Sequence, residues 1–300
     1  MSKLSPLTKM AFSSSSQQQN ISTALKSVLC KIETATSKRS ETLPPVKPRL
    51  VAVTKTKPAE AIISAYECGQ RYFGENYVHE IVEKSQNTDI LKLTDLKWHF
   101  IGHLQRNKVG KLVSIPNLDM IETVDSIKLA ESLNNAWKKQ KKEEPLKIMI
   151  QVNTSQEENK AGCHPKNLTE IYKFVTEVCV NLEVTGLMTI GSFDHDLSKG
   201  PNPDFQCLFR CREDLCKELG IDVTRLELSM GMSGDYEHAI ELGSTNVRVG
   251  STIFGAREMK KKADETTADE TTKTNVDTTE TGTNIANMSN AMSGLAVGEC

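Results

Sequence analysis

The sequence predicts a closed (β/α)8 barrel, an α/β fold of the TIM type. Three observations carry the prediction. Short apolar strands and longer helical stretches alternate eight times within about 210 residues. No second strand-rich region follows the eighth strand. Turns rich in glycine and serine come directly after strands seven and eight, where such barrels often bind phosphate. An open doubly wound sheet is the structural alternative.

The first strand is expected at residues 50–55, with a helix at 58–68 that Pro58 opens in its first turn and Gly69 ends. A strand at 71–74 precedes a helix at 77–85, and a strand at 98–102 precedes a helical stretch at 104–113. The fourth strand, 118–123, is followed by a strongly helical run at 126–139, and the fifth, 146–152, by a helix at 166–180. Strand six is expected at 182–190 with its helix at 204–219, strand seven at 225–230 with a helix at 235–242, and strand eight at 246–250. Residues 40–48 read as a linker, with prolines at 44, 45 and 48.

The barrel is expected to span 17–258, between a disordered start at 1–16 and a disordered tail at 259–300. In the tail, Asp264-Glu265-Thr266-Thr267 recurs at Asp269-Glu270-Thr271-Thr272. Such an acidic, Thr-rich segment cannot bury enough apolar surface to offset the entropy of ordering.

The hydrophobic fraction of 38% and charged fraction of 25% fit a globular chain with a sizeable core. A net charge of −2 gives no basis for binding nucleic acid or an anionic membrane. No apolar run approaches the roughly 18 residues of a membrane span. The eight cysteines form no C-x-x-C pair. Cys207, Cys211 and Cys216 lie close together but lack a second ligand pair, so no metal is expected. Scattered thiols point to a reducing, cytoplasmic setting. The start of the chain shares the basic, Ser-rich bias of a mitochondrial presequence, but its first arginine is Arg39. A mitochondrial pool stays open.

Barrel sites form at the carboxyl ends of strands and in the loops after them. If alternation runs to the end of strand one, Val51, Val53 and Lys55 share a face. An inward face puts Lys55 at the barrel mouth, where burial and the nearby charge of Lys57 lower an amine pKa toward Schiff-base chemistry. Asn76, after strand two, either aims its amide into the mouth or caps the next helix. His99 and His103 share a face if the strand includes both; a third ligand is not evident, so they read as core or rim histidines. Ser229-Met230-Gly231-Met232-Ser233-Gly234-Asp235 and Arg248-Val249-Gly250-Ser251-Thr252 offer backbone N–H groups and hydroxyls suited to a phosphate. Arg248, on the strand itself, would face the mouth. An amine at strand one and a phosphate cradle at strands seven and eight are the two anchors that pyridoxal phosphate needs.

The stretch 192–205, containing Gly200-Pro201-Asn202-Pro203-Asp204-Phe205, resembles the animal members of the pyridoxal phosphate homeostasis protein family, and six motifs resemble that family as a whole. They are Ala52-Val53-Thr54-Lys55-Thr56-Lys57-Pro58, Phe73-Gly74-Glu75-Asn76-Tyr77-Val78, Trp98-His99-Phe100-Ile101-Gly102, Gly186-Leu187-Met188-Thr189-Ile190-Gly191, Leu228-Ser229-Met230-Gly231-Met232-Ser233, and the run from Val247 through Gly255. The resemblance covers about residues 20–258, in order. It implies a fold-type III barrel similar to the N-terminal domain of alanine racemase, with pyridoxal phosphate as cofactor. It implies that Lys55 forms the Schiff base and that Asn76, Ser233, Gly250 and Ser251 bind the cofactor. It also implies that Arg248 lies near the pyridine nitrogen, where a cation disfavours ring protonation. Thr54 stands where serine is usual, Gly234 where a larger residue is usual, and the tail lies outside the family pattern.

The resemblance further implies a non-catalytic carrier in vitamin B6 homeostasis, whose partners would be the cofactor and apo-enzymes that could receive it. Racemisation needs acid–base groups on both faces of the ring. In alanine racemase one of these comes from a second, β-rich domain, which is not expected here, and without it a monomer is expected. A Schiff-base aldolase barrel usually carries its lysine on a later strand.

Overall fold

The computed structural model describes residues 6–256, apart from 158–159 and 193–194. Eight parallel strands close into a barrel in sequence order. They are β1 (Arg49–Val53), β2 (Tyr72–Glu75), β3 (Lys97–Phe100), β4 (Leu118–Val124), β5 (Leu146–Gln151), β6 (Leu182–Met188), β7 (Glu227–Ser229) and β8 (Asn246–Val249). The ladder from Arg49↔Asn246 to Ala52↔Val249 joins β1 to β8 and rules out an open doubly wound sheet.

Between the strands run α2 (Ala59–Glu67), α3 (Val78–Ser85), α4 (Val109–Val113), α5 (Ile127–Gln140), α6 (Leu168–Val178), α7 (Pro203–Leu219) and α8 (Tyr236–Glu241). A short α9 (Ser251–Phe254) follows β8. The expected helix at 104–113 is instead a 3-10 turn at Arg106–Lys108 running into α4. Before the barrel comes α1 (Pro6–Ser37), so helix is described from Pro6, within the stretch expected to be disordered. The tail expected to be disordered, 259–300, lies outside the described residues.

Alternation along each strand sorts the core into two regions. Leu50, Ala52, Phe73, Trp98, Phe100, Ile148, Ile150, Leu228, Val247 and Val249 face outward into the layer shared with the helices. The inward positions carry a smaller cluster of Met120, Met149 and Met188. They also carry buried polar side chains: His99, Glu122, Ser229, Asn246 and Arg248. On α1, Ile21, Leu25, Val28, Ile32 and Ala35 recur at helical spacing and are buried. This helix packs on α2, α8 and α9, covering the seam where β8 meets β1.

Candidate functional site

The carboxyl ends of the strands surround a cavity of about 580 Å³. Its wall contains Lys55, Asn76, Ser233, Arg248, Gly250 and Ser251. Lys55 enters it from a turn and not, as the alternation argument expects, from the strand. β1 ends at Val53. The Lys57 N–H then donates to the Thr54 carbonyl at 2.9 Å, and Thr56 takes a left-handed φ of 63°. Val51 and Val53 do face inward, with methyl carbons 2.9 and 3.4 Å from where a Cβ on Gly74 would stand. Lys57 also lines the cavity, and its Nζ donates to the Ala256 carbonyl at 2.8 Å.

Asn76 follows β2 directly. A Cβ on Gly102 would stand 1.9 Å from the Asn76 carbonyl oxygen, so only glycine lets the turn after β3 press this close. Asn76 caps no helix: the N-cap of α3 is Tyr77, which makes no side-chain capping bond. The Asn76 Oδ1 atom is buried without a hydrogen-bond partner. A buried amide oxygen left unpaired is costly in a finished core, and a ligand-facing one is a usual exception.

The turns after β7 and β8 meet beside the end of β1. Ser233 Oγ accepts the Gly250 N–H at 3.1 Å, joining the two turns. Asp235 Oδ1 accepts the Met232 N–H at 2.6 Å and holds the first of them. A Cβ on Gly250 would lie 3.2 Å from the Val53 carbonyl oxygen. Glycine thus keeps the backbone close to β1 while leaving the cavity side open.

Arg248 is almost fully buried and sits at the top of a polar ladder through the barrel. Its Nη1 donates to Ser229 Oγ at 2.5 Å and its Nη2 to the Thr189 carbonyl at 2.8 Å. Ser229 donates in turn to Glu122 Oε2 at 2.5 Å, and Asn246 Nδ2 donates to Ser229 Oγ at 2.9 Å. Glu122 Oε1 pairs with His99 Nδ1 at 2.6 Å, and His99 Nε2 lies 3.3 Å from Asp119 Oδ2. Burial alone would depress His99, but the nearby carboxylates of Asp119 and Glu122 outweigh burial and hold the imidazole above its ordinary value. Burial likewise pushes Glu122 up, while the His99 bond, helped by Arg248, brings it below the usual carboxylate range. Arg248 is lowered by burial against the pull of Glu122. A guanidinium nonetheless keeps its proton at any ordinary pH.

His103 does not share the face of His99. It lies beyond β3, exposed, with Nδ1 4.0 Å from Asp125 Oδ2. Among the described residues no three His, Cys, Asp or Glu side chains could together hold a metal ion.

The sequence profile of the family described as "Alanine racemase, N-terminal domain" matches residues 30–258. The human pyridoxal phosphate homeostasis protein is 54% identical over 250 residues, covering 83% of this chain and 91% of that one. This chain belongs to the pyridoxal phosphate homeostasis protein family. The Haemophilus influenzae protein of the same name is 41% identical over 79% of this chain and 96% of its own length. Among solved structures, PipY of Synechococcus elongatus with pyridoxal phosphate bound superposes with a TM-score of 0.64 at 33% identity, over 78% of this chain and all of its own. Alanine racemase of Corynebacterium glutamicum shares the fold, with a TM-score of 0.55 at 12% identity, over 82% of this chain and 64% of that one.

Sequence reasoning gave part of the cavity wall of this homeostasis-family barrel no role in the site, although several of its residues stand in the quoted motifs. Ile101, Met188, Ile190 and Met232 give it apolar surface, and Ser192, His195 and Asn202 come from the long loop after β6. Length was the available signal. Residues 189–202 connect β6 to α7, with a short 3-10 turn at 197–199 among the described ones, and connections of that length at a barrel mouth tend to carry function.

Proposed function

We propose that this chain binds pyridoxal phosphate in the mouth cavity, holds it on Lys55 as a Schiff base, and gives it up again without turning over an amino acid. One observation carries the reading: a single cavity joins a lysine, an unpaired buried amide oxygen, a buried arginine and a glycine- and serine-lined cradle. The residues fit the group. Lys55 offers the amine for the aldehyde. The Ser233 and Ser251 hydroxyls offer donors for the phosphate, and Gly250 leaves room for it to approach the backbone. Asn76 Oδ1 awaits a partner at the ring. When bound, pyridoxal phosphate supplies an aldehyde that condenses reversibly with amines and releases water.

In this reading Arg248 faces the ring nitrogen. Fixed by Ser229 and the Thr189 carbonyl, it would leave that nitrogen unprotonated and so weaken the ring as an electron sink. That favours retention over catalysis, in keeping with the homeostasis names of the relatives. Recipients would be apo-enzymes that use this cofactor, and the chain would act as a monomer in the cytoplasm. The seven cysteines among the described residues are free thiols, as a reducing compartment requires. Burial pushes the Cys163 thiol up to about 12, which leaves it inert.

Titration with pyridoxal phosphate, followed by absorbance, tests the binding claim. The wild-type protein should gain a visible Schiff-base band that Lys55→Ala lacks. A wild-type protein that stays colourless sinks the proposal. Incubating the loaded protein with L-alanine in D2O tests the carrier claim, because α-deuteration at an enzymatic rate would defeat it.

A further inference from the structure

Lys55 is flanked on both sides by groups tied to one buried ion cluster. The Lys84 ammonium, on α3, donates three hydrogen bonds: to the Thr54 carbonyl at 2.8 Å, to Glu75 Oε1 at 2.7 Å and to Glu80 Oε2 at 2.8 Å. Glu80 Oε2 also accepts the Thr56 N–H at 2.8 Å. Thr54 Oγ1 closes the set by donating to Glu75 Oε1 at 2.7 Å. The backbone before Lys55 is thus held by Lys84, and the backbone after it by Glu80.

Lys84 gives the fully buried Glu75 carboxylate its cation partner, and the cluster reaches beyond that pair to the backbone on both sides of Lys55. Lys84 and Glu80 are one helical turn apart and would pair on any helix surface. Here their side chains are 10% and 17% exposed and close over a turn whose third residue, Thr56, is left-handed. A β-branched residue avoids that conformation unless something holds it there. None of these acidic, threonine or Lys84 side chains lines the cavity, so Glu80 and Lys84 reach a ligand through the backbone they hold, that of the Lys55 turn first.

We propose that Glu80 and Lys84 are positioning residues that aim the Lys55 amine at the cofactor aldehyde and thereby set the rate of condensation. The inference rests on the reading that Lys55 carries pyridoxal phosphate. Two ligands separate aim from overall integrity. Pyridoxal phosphate needs both the cradle and the amine. Pyridoxine 5′-phosphate has an alcohol in place of the aldehyde, so it needs the cradle and the ring contacts but not the amine.

Stopped-flow formation of the visible band should slow roughly tenfold in Glu80→Ala and in Lys84→Met, the loss expected when a charge-assisted hydrogen bond is removed. Binding of pyridoxine 5′-phosphate should stay within about twofold of wild type. Lys84→Arg and Glu80→Gln, which keep a donor and an acceptor, should recover part of the rate. Unchanged band formation in Glu80→Ala and Lys84→Met overturns the proposal. So does an equal weakening of both ligands, which would mark a general packing role. Should Lys84→Met fail to fold, the partly exposed Glu80 site decides the matter. Failure of the underlying reading looks different: wild type itself would give no band, or Lys55→Ala would keep it.

Discussion

At the scale of single residues, the site depends on close approaches that leave room for glycine alone. Gly102 is the sharpest case, since any Cβ there would collide with the Asn76 carbonyl. Gly102→Ala should therefore displace Asn76 and weaken pyridoxal phosphate binding by roughly tenfold or more, measured by titration of the visible band. Unchanged affinity would show that Asn76 does not touch the cofactor. Ser233→Ala removes a hydroxyl that bridges the turns after β7 and β8, and should weaken binding by a similar factor. The sequence marked Lys55 correctly as a residue of the mouth, but by an argument that stops two residues short. Alternation holds through Val53, and then the chain turns at the left-handed Thr56. A threonine in that conformation has no signature in the sequence, and the Glu80 carboxylate that accepts its N–H comes from 24 residues away. Gly102, by contrast, was visible in its motif but read as the end of a strand.

At the scale of elements, the strands do more than frame the mouth. Each contributes inward side chains, and β3, β4, β7 and β8 together build the ladder from His99 to Arg248. His99 was legible only as a core or rim histidine. Its partner Glu122 lies 23 residues away, and Ser229 and Asn246 lie 107 and 124 residues beyond Glu122. Only closure of the barrel brings them together, so spacing along the chain could not announce them. The pH dependence of the pair follows from its two shifts. His99 is held above 6.5, so its contribution is full below that value and is lost as pH rises through the raised pKa. Glu122 is held below 4.5, so its contribution is full above that value and is lost as pH falls through the lowered pKa. Both act fully between about 4.5 and 6.5. His99→Gln should therefore cost about 3 kcal/mol near pH 6, since it leaves a buried carboxylate short of a partner. The gap in thermal midpoint from wild type should narrow steadily toward alkaline pH. A gap that stays constant with pH would show that His99 is uncharged in the fold.

At the scale of the whole molecule, the βα alternation was readable because each strand is short, apolar and bounded by turn residues, and each helix carries an amphipathic stripe. Boundaries moved by one or two residues, apart from the stretch at 104–113, where α4 begins only at Val109 after a 3-10 turn. The covering role of α1 was not readable, because an isolated amphipathic stripe does not say which surface it meets. Leu25→Ala, at the buried face of that helix, should cost about 2–5 kcal/mol by denaturant unfolding and leave cofactor affinity nearly unchanged in the folded fraction. The family profile ends at residue 258, so a chain cut after 258 should keep the thermal midpoint and the pyridoxal phosphate affinity of the full chain. A large loss of either would assign the remaining segment a part in the barrel.

The central claim is that one lysine of this barrel carries the cofactor. Borohydride reduction of the loaded protein, followed by proteolysis and mass spectrometry, tests it most directly, because reduction fixes the cofactor wherever it is bound. The predicted result is a single phosphopyridoxyl adduct on Lys55. An adduct confined to Lys57 or any other lysine, or no adduct at all, would contradict the account.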